Sequence, residues 1–572
     1  MCRCAKRQVT LVWAVLECLF FTGIVCGWTW MAQILKYDGY FLDKCNITDI
    51  SFMHTYTVGE LTDTGPLLER KVDVKGPRRK CYPRKKKGNE KLLPLNDLKP
   101  PSDFLRQSFN LSDVFCDDQE DSFDLMINLV LLIRNVLALP FGIFLDIYGT
   151  TRTRLLAVLT FIVGTLMMTF SNRAFPWLVV PALGVLGAAG SWILMTNIQI
   201  SNLFGTKRHT VMSLFIGAFH SSAVIMICMK FTHYEGINMQ TSFMFLTIGV
   251  VPILVSTIAF LPKSRIPWPL PADYGKSHFT PTNRATLKMQ RAWQRRISAG
   301  GKTHRETPDF RPIACTSLYV WSVVWFCIAY LRACAFDGNI KPLLQTTGAD
   351  KDTVNLYSVV YSLSQLLALP LSPLLGIIMD WKRRKCIDTD PKVRQMQNIL
   401  LALTVTFVLS LTSTMLSMIP VLGLQMLTFL VQIAERVAML ATTLAFVTHV
   451  HFPGEHFGKL IGIHLAASSL FGLAQFLFES FIEGPLNGDP FYVNLLLLIL
   501  ILVSSGHPIN VWYHCRLGLV NDLSSPDHRK TVTVRLVDVT QSGNSCNIAH
   551  DEQSDVHMLD DSVAREETDT MV

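Results

Sequence analysis

Five ionisable side chains stand inside long apolar runs of this 572-residue chain: Glu17, Arg134, Arg332, Glu435 and Arg436. In a membrane helix each costs about 2.5–3.5 kcal/mol on insertion scales, so each calls for a partner or a task. The chemistry open to them is the holding of a solute by its charges. A zwitterion crossing a membrane needs a cation for its carboxylate and an acid for its ammonium, and Arg436 or Arg332 could supply the first, Glu17 or Glu435 the second. The structural alternative is a buried pair between Glu17 and an arginine that fixes helix register. Adjacent helical residues point about 100° apart, so Glu435 and Arg436 do not both face one cavity. Arg332 lies near enough to a helix end to snorkel toward water. Ser191 follows Gly184, Gly187 and Gly190; helix packing accounts for the glycines, and Ser191 is a further substrate-lining candidate.

A second constellation occurs twice. Gly142, Asp146 and Arg152 close one apolar run, Gly376 and Asp380 followed by Lys382 to Lys385 close another, and each run carries Ala-Leu-Pro shortly before, at Ala138 to Pro140 and Ala368 to Pro370. Glycine and acid four residues apart share a helix face, the glycine admitting a neighbouring helix and the acid sitting at the membrane edge beside the bases. Positive-inside loop chemistry would explain the bases but not the recurrence of the pair. The pattern resembles the loop signature of the major facilitator superfamily, the second copy lacking its second glycine. If two halves rock against each other, Asp146 and Asp380 with their bases can lock the cytoplasmic side.

The elements that must position these residues follow from composition. Half the residues are hydrophobic and 17% charged, against about 25% charged in soluble domains, and mean hydropathy is +0.32. The expectation is an all-α polytopic membrane protein with twelve transmembrane helices in two pseudo-symmetric halves. The spans fall at 9–35, 122–145, 155–172, 176–200, 210–232, 240–261, 316–336, 353–379, 398–418, 421–448, 459–481 and 490–512. They are numbered 1 to 12 below. The first is too long for a signal-peptide core and reads as a retained helix. Residues 1–262 make the first half, 263–315 a linker, 316–513 the second half and 514–572 a tail.

Short basic connections after spans 2, 4 and 8 place both termini in the cytoplasm. The long loop 36–121 then lies outside, where the sequons at Asn46 and Asn110 would be glycosylated. It holds Cys45, Cys81 and Cys116, enough for one disulfide with one thiol left over. The linker carries eleven basic against three acidic residues, and residues 284–296 can form an amphipathic helix on the inner leaflet. The net charge of +8 is gathered in such connections, which argues against nucleic-acid binding. The tail lacks apolar periodicity; its end, Thr570 to Val572, fits the carboxy-terminal pattern that PDZ domains capture. His449, His451, Glu455 and His456 lack the one-turn histidine spacing of a helix-borne zinc site, so no metal is expected. No phosphate loop or hydrolase motif appears, hence no enzyme activity and no cofactor.

The closer resemblance lies in Leu16-Glu17, Gly27-Trp28, Asp38 to Phe41, Cys116 to Glu120, Asn202 to Gly205, Leu331-Arg332, Pro373 to Gly376, Met379 to Trp381, Arg436, His456 to Gly458 and Gly484 to Leu495. These segments resemble the sodium-independent large-neutral-amino-acid facilitators of the major facilitator superfamily. The likeness does not extend to the basic external loop, Arg134 or most of the tail. It implies facilitated diffusion of leucine, isoleucine, valine, phenylalanine and methionine across the plasma membrane through one alternately exposed site. It also implies a Cys45–Cys116 disulfide. A sister branch carries purine nucleobases and supplies the alternative function; a non-transporting nutrient receptor signalling through the tail is the alternative from another class.

Overall fold

The computed structural model describes residues 3–45, 117–259, 310–381, 391–448 and 454–524, together with Leu261, Ile266 and Phe452. The sequons Asn46 and Asn110, Cys116, the linker helix at 284–296, Lys382 to Lys385 and the tail end with Thr570 and Val572 lie outside these residues.

Among the described residues nine continuous helical runs and one bent pair are long and apolar enough to cross a membrane. Two of the runs, Asp118–Thr169 and Pro176–Tyr234, each hold two crossings, which brings the number to the expected twelve. The breaks inside them come from glycines at positive φ. Gly149 (φ 77°) separates spans 2 and 3 within the helix Ala138–Thr169, and Gly205 (φ 49°) turns the chain between spans 4 and 5. A side chain at either position would meet the backbone strain that glycine escapes. The short basic connections after spans 2 and 4 are thus helical on both sides of a single residue.

Spans 2 and 8 are built alike. The helix Asp117–Val136 stops and Ala138–Thr169 starts at the first Ala-Leu-Pro; Lys351–Ser364 gives way through the short turn Gln365–Leu367 to Ala368–Trp381 at the second. Proline lacks an N–H and is tolerated in a first helical turn, where that group would have no partner. Each tripeptide therefore restarts a helix at a kink about half-way along its span. Span 1 also bends, by 53° between Arg7–Thr22 and Ile24–Tyr37, through a π-helical turn at Cys18–Thr22.

Burial follows the logic of a lipid solvent. On span 3 the exposed face is Leu155, Leu159, Val163 and Leu166, whereas Arg154, Thr165 and Phe161 are buried. Apolar side chains turn outward and polar ones inward, the reverse of a soluble helix. Span 4 (Val179–Ile198) and most of span 10 (Leu422–Val447) are enclosed. Gly190 meets the Thr22 backbone of span 1 and Gly184 meets Ile133 of span 2, so the glycines of span 4 serve packing. The described residues up to Cys515 fall in one compact unit, so the two halves share an interface.

Candidate functional site

Three of the candidate substrate residues are held inside their own half. Glu17, at the end of Arg3–Glu17, is paired with Arg154 of span 3; both side chains are buried. Arg154 is saturated: Nε donates to Thr257 Oγ1 at 2.7 Å, Nη1 to Asn197 Oδ1 at 2.6 Å and to Thr196 Oγ1 at 3.1 Å, and Nη2 to Ser256 Oγ at 2.9 Å. Asn197 Nδ2 and Ser256 Oγ also bind Glu17. Spans 1, 3, 4 and 6 are thereby tied together. Glu17 thus stands in a buried pair of the register-fixing kind, and its arginine is Arg154, from the basic connection after span 2.

The second half repeats the arrangement. Arg332 Nη2 donates to Glu435 Oε2 at 2.5 Å and to Gln432 Oε1 at 2.8 Å, Nη1 reaches Ser413 Oγ at 3.2 Å, and Ser410 Oγ donates to Glu435 Oε1 at 2.8 Å. Arg332 does not snorkel; it is 2% exposed and joins spans 7, 9 and 10. Removing one member of such a pair leaves an uncompensated buried charge, a cost of about 3–5 kcal/mol. Ser191 is turned back on its own helix, its hydroxyl donating to Gly187 O at 2.9 Å.

Arg436 behaves differently, as the 100° offset from Glu435 requires. Its guanidinium crosses to span 7, pairing with Asp337 and donating to Ala333 O at 3.2 Å. Tyr361 of span 8 donates to the other oxygen of Asp337 at 2.6 Å. Facing this group from the first half are Arg134 and Asn135 of span 2, His220 of span 5 and Cys26 of span 1. Asn135 Nδ2 donates to Tyr330 OH of span 7 at 2.9 Å, across the boundary between the halves. The charges of Arg134 and Arg436 both reach His220 and Cys334. Asn128, Leu131, Tyr330, Cys334, Ser469 and Gln475 line an adjoining cleft between spans 2, 7 and 11. Arg436 Nε, His220 Nε2 and Asn128 Nδ2 are buried without a hydrogen-bond partner, three polar atoms still free to bind.

Asp337, Tyr330 and Cys334 were missed in the sequence, although 330, 334 and 337 recur with the spacing of one helix face, a signal open to reading. Asp337-Gly338 ends its apolar run and reads as the start of a loop.

The repeated loops form two matched clasps. Asp146 accepts the backbone N–H groups of Gly458 at 2.8 Å and Lys459 at 2.9 Å, the first amides of Phe457–Gly472 in the other half. Asp380 accepts the N–H of Thr210 at 3.0 Å and its hydroxyl at 2.8 Å, and meets His209 Nδ1 at 2.8 Å, at the start of Arg208–Ser221. A helix begins with unsatisfied N–H groups and a partial positive charge, so a carboxylate is the fitting plug. The glycines permit the approach. A Cβ on Gly142 would stand 2.1 Å from Gly458 O, and one on Gly376 2.3 Å from Thr210 Cα. Arg152, expected in the lock, is exposed and lies over the Tyr148 ring, while the acids grip helix ends in the opposite half.

On the opposite face Glu120, at the start of span 2, is bridged by Lys36 of its own half and Lys341 of the other. Nearby, Cys45 is disulfide-bonded. Contacts between the halves thus stand on both faces of the molecule, while the Asp337 side chain of the polar cluster keeps 41% of its surface exposed.

Residues 101–476, about two thirds of the chain, match the family model of the Major Facilitator Superfamily. The chain belongs to that superfamily. It is a multi-pass membrane transporter and not an enzyme, with twelve helices in the arrangement that the repeated loops foretold. An equilibrative nucleobase transporter 1 from Bos taurus is 28% identical over 528 residues, covering 89% of this chain and 96% of that protein. A large neutral amino acids transporter small subunit 3 from Mus musculus is 28% identical over 472 residues, covering 70% and 83%. Among solved structures, a major facilitator proton:xylose symporter, XylE, bound to 6-bromo-6-deoxy-D-glucose aligns with a TM-score of 0.47 at 12% identity, over 72% of this chain and 90% of that one.

Proposed function

We propose that this transporter is a sodium-independent uniporter of large neutral amino acids in the plasma membrane, with both termini cytoplasmic, working by alternating exposure of the central cluster. The observation that carries this reading is the placement of the Arg436–Asp337 pair at the boundary between the halves, opposite Arg134, Asn135 and His220. Both signs of charge stand there beside a cleft walled by Leu131, Leu132, Leu473 and Phe476, as a zwitterion with an aliphatic side chain requires. The α-carboxylate meets the guanidinium side and the ammonium meets Asp337. The clasps at Asp146 and Asp380 hold one face shut and must release for the site to open there, while the Lys36–Glu120–Lys341 bridge closes the other. Similarity to the mouse amino-acid transporter agrees with this reading.

A second reading, purine nucleobase transport, is favoured by the longer match to the cattle nucleobase transporter and by the withdrawal of Glu17 and Glu435 into buried pairs. Asn135, Tyr330 and the free Nε2 of His220 are neutral groups of the kind that pair with a base edge. Uptake of radiolabelled leucine and adenine into vesicles holding the purified protein, with and without sodium and a pH gradient, separates the two. Entry of adenine alone would replace the first reading by the second.

A further inference from the structure

Asp337 is the carboxylate of the central cluster, and both its oxygens are engaged, one by Arg436 and one by Tyr361. Arg134 is placed otherwise. Its Nε donates to Asn135 Oδ1 at 3.1 Å, and among the described residues it enters no ion pair. Its stem is fixed against span 4, where a Cβ on Gly187 would come within 3.0 Å of Arg134 Cδ. Its Nε is bonded to Asn135, whose amide nitrogen donates to Tyr330 OH of the other half, so the guanidinium lies beside the boundary between the halves.

The cluster thus sets two guanidiniums against one carboxylate. A surplus positive charge between the halves attracts an anion to the cluster. The free edge of Arg134 offers two parallel N–H donors, the shape that a planar carboxylate accepts bidentately.

We infer that Arg134 is the specificity-determining anchor for a substrate carboxylate, and that the site therefore accepts small aliphatic monocarboxylates bearing a 2-oxo or 2-hydroxy group as well as amino acids. The inference rests on the amino-acid reading for the aliphatic part of the substrate and goes beyond it in the charge. A zwitterion leaves the surplus positive charge in place. The matching monoanion cancels it and asks for no acid from the protein, its 2-oxo oxygen needing only a neutral donor of the kind that Tyr330 and His220 provide.

The test uses the purified full chain in vesicles and four probes: leucine, its 2-oxo acid 4-methyl-2-oxopentanoate, leucinamide and adenine. The expected result is saturable uptake of leucine and of the oxo acid, each inhibiting the other, with leucinamide excluded. Arg134→Gln then lowers oxo-acid uptake at least tenfold and Arg134→Lys restores part of it. An inside-positive potential raises accumulation of the oxo acid and not of leucine, since only the former moves net charge. Leucine uptake with the oxo acid neither entering nor inhibiting would overturn the inference and leave the amino-acid reading standing, and so would Arg134→Gln carrying both at the wild-type rate. Adenine uptake without leucine or oxo acid would remove both. Should Arg134→Gln not fold, mutual inhibition in the wild-type protein decides the matter.

Discussion

Asp146 and Asp380 perform the same operation from opposite halves of the molecule: each plugs the N-terminus of a helix that belongs to the other half, Asp146 at Gly458 and Lys459, Asp380 at Thr210. A carboxylate can make these contacts in only one arrangement of the halves. Separation of the halves on this face would break them, which is the requirement for a contact that sets a two-state equilibrium.

Asp146→Asn keeps one acceptor and loses the charge. Charge-assisted hydrogen bonds contribute about 1.5–3 kcal/mol, so the clasp weakens enough to shift the closed–open balance by tenfold or more. The maximal exchange rate is expected to fall several-fold while substrate affinity changes less than twofold, read by equilibrium exchange at saturating substrate against competitive binding. An unaltered maximal rate at normal surface expression would refute the role.

Gly142→Ala and Gly376→Ala test the same boundary sterically. Each added Cβ would overlap backbone of the other half, at 2.1 Å and 2.3 Å, so the halves must separate. Gly423→Ala is the control, since nothing lies within 4 Å of its Cβ. Thermal denaturation in detergent should show the first two destabilised and the third unchanged; equal behaviour of all three would show that the boundary yields.

Arg154→Ala should cost about 3–5 kcal/mol by leaving Glu17 charged and unpaired, whereas Arg152→Ala, two residues away and exposed, should cost almost nothing. Monodispersity after extraction and the denaturation midpoint report the difference. If the two variants matched, the Glu17–Arg154 network would not hold the first half together.

Lys341→Ala removes the one ion pair to Glu120 that, among the described residues, crosses between the halves, and leaves Lys36 in place. The face should open more often, and Cys334 beside the cleft should react several-fold faster with a membrane-impermeant thiol reagent, followed by mass spectrometry of its peptide. Bound substrate should slow that reaction. An unchanged rate would mean that the bridge does not govern access.

The legible part of the fold was large, for a physical reason. Twelve apolar runs were readable because a membrane helix must satisfy its backbone within one segment, so length and composition are nearly sufficient. The repeat around Asp146 and Asp380 was readable because equal structural places impose equal residue types. Glu435 and Arg436 turn to different partners, as their offset of about 100° requires, but which face meets the boundary was not visible in the sequence, nor were the partners of Glu17 and Arg332.

Composition and spacing alone thus decided that the chain crosses the membrane in two related halves and that buried charges would be its scarce resource. Only the tertiary structure decided how those charges are spent, because a partner such as Arg154 for Glu17 or Asp337 for Arg436 is chosen by helices meeting side by side. One-dimensional periodicity records which face a residue occupies and not which helix that face meets.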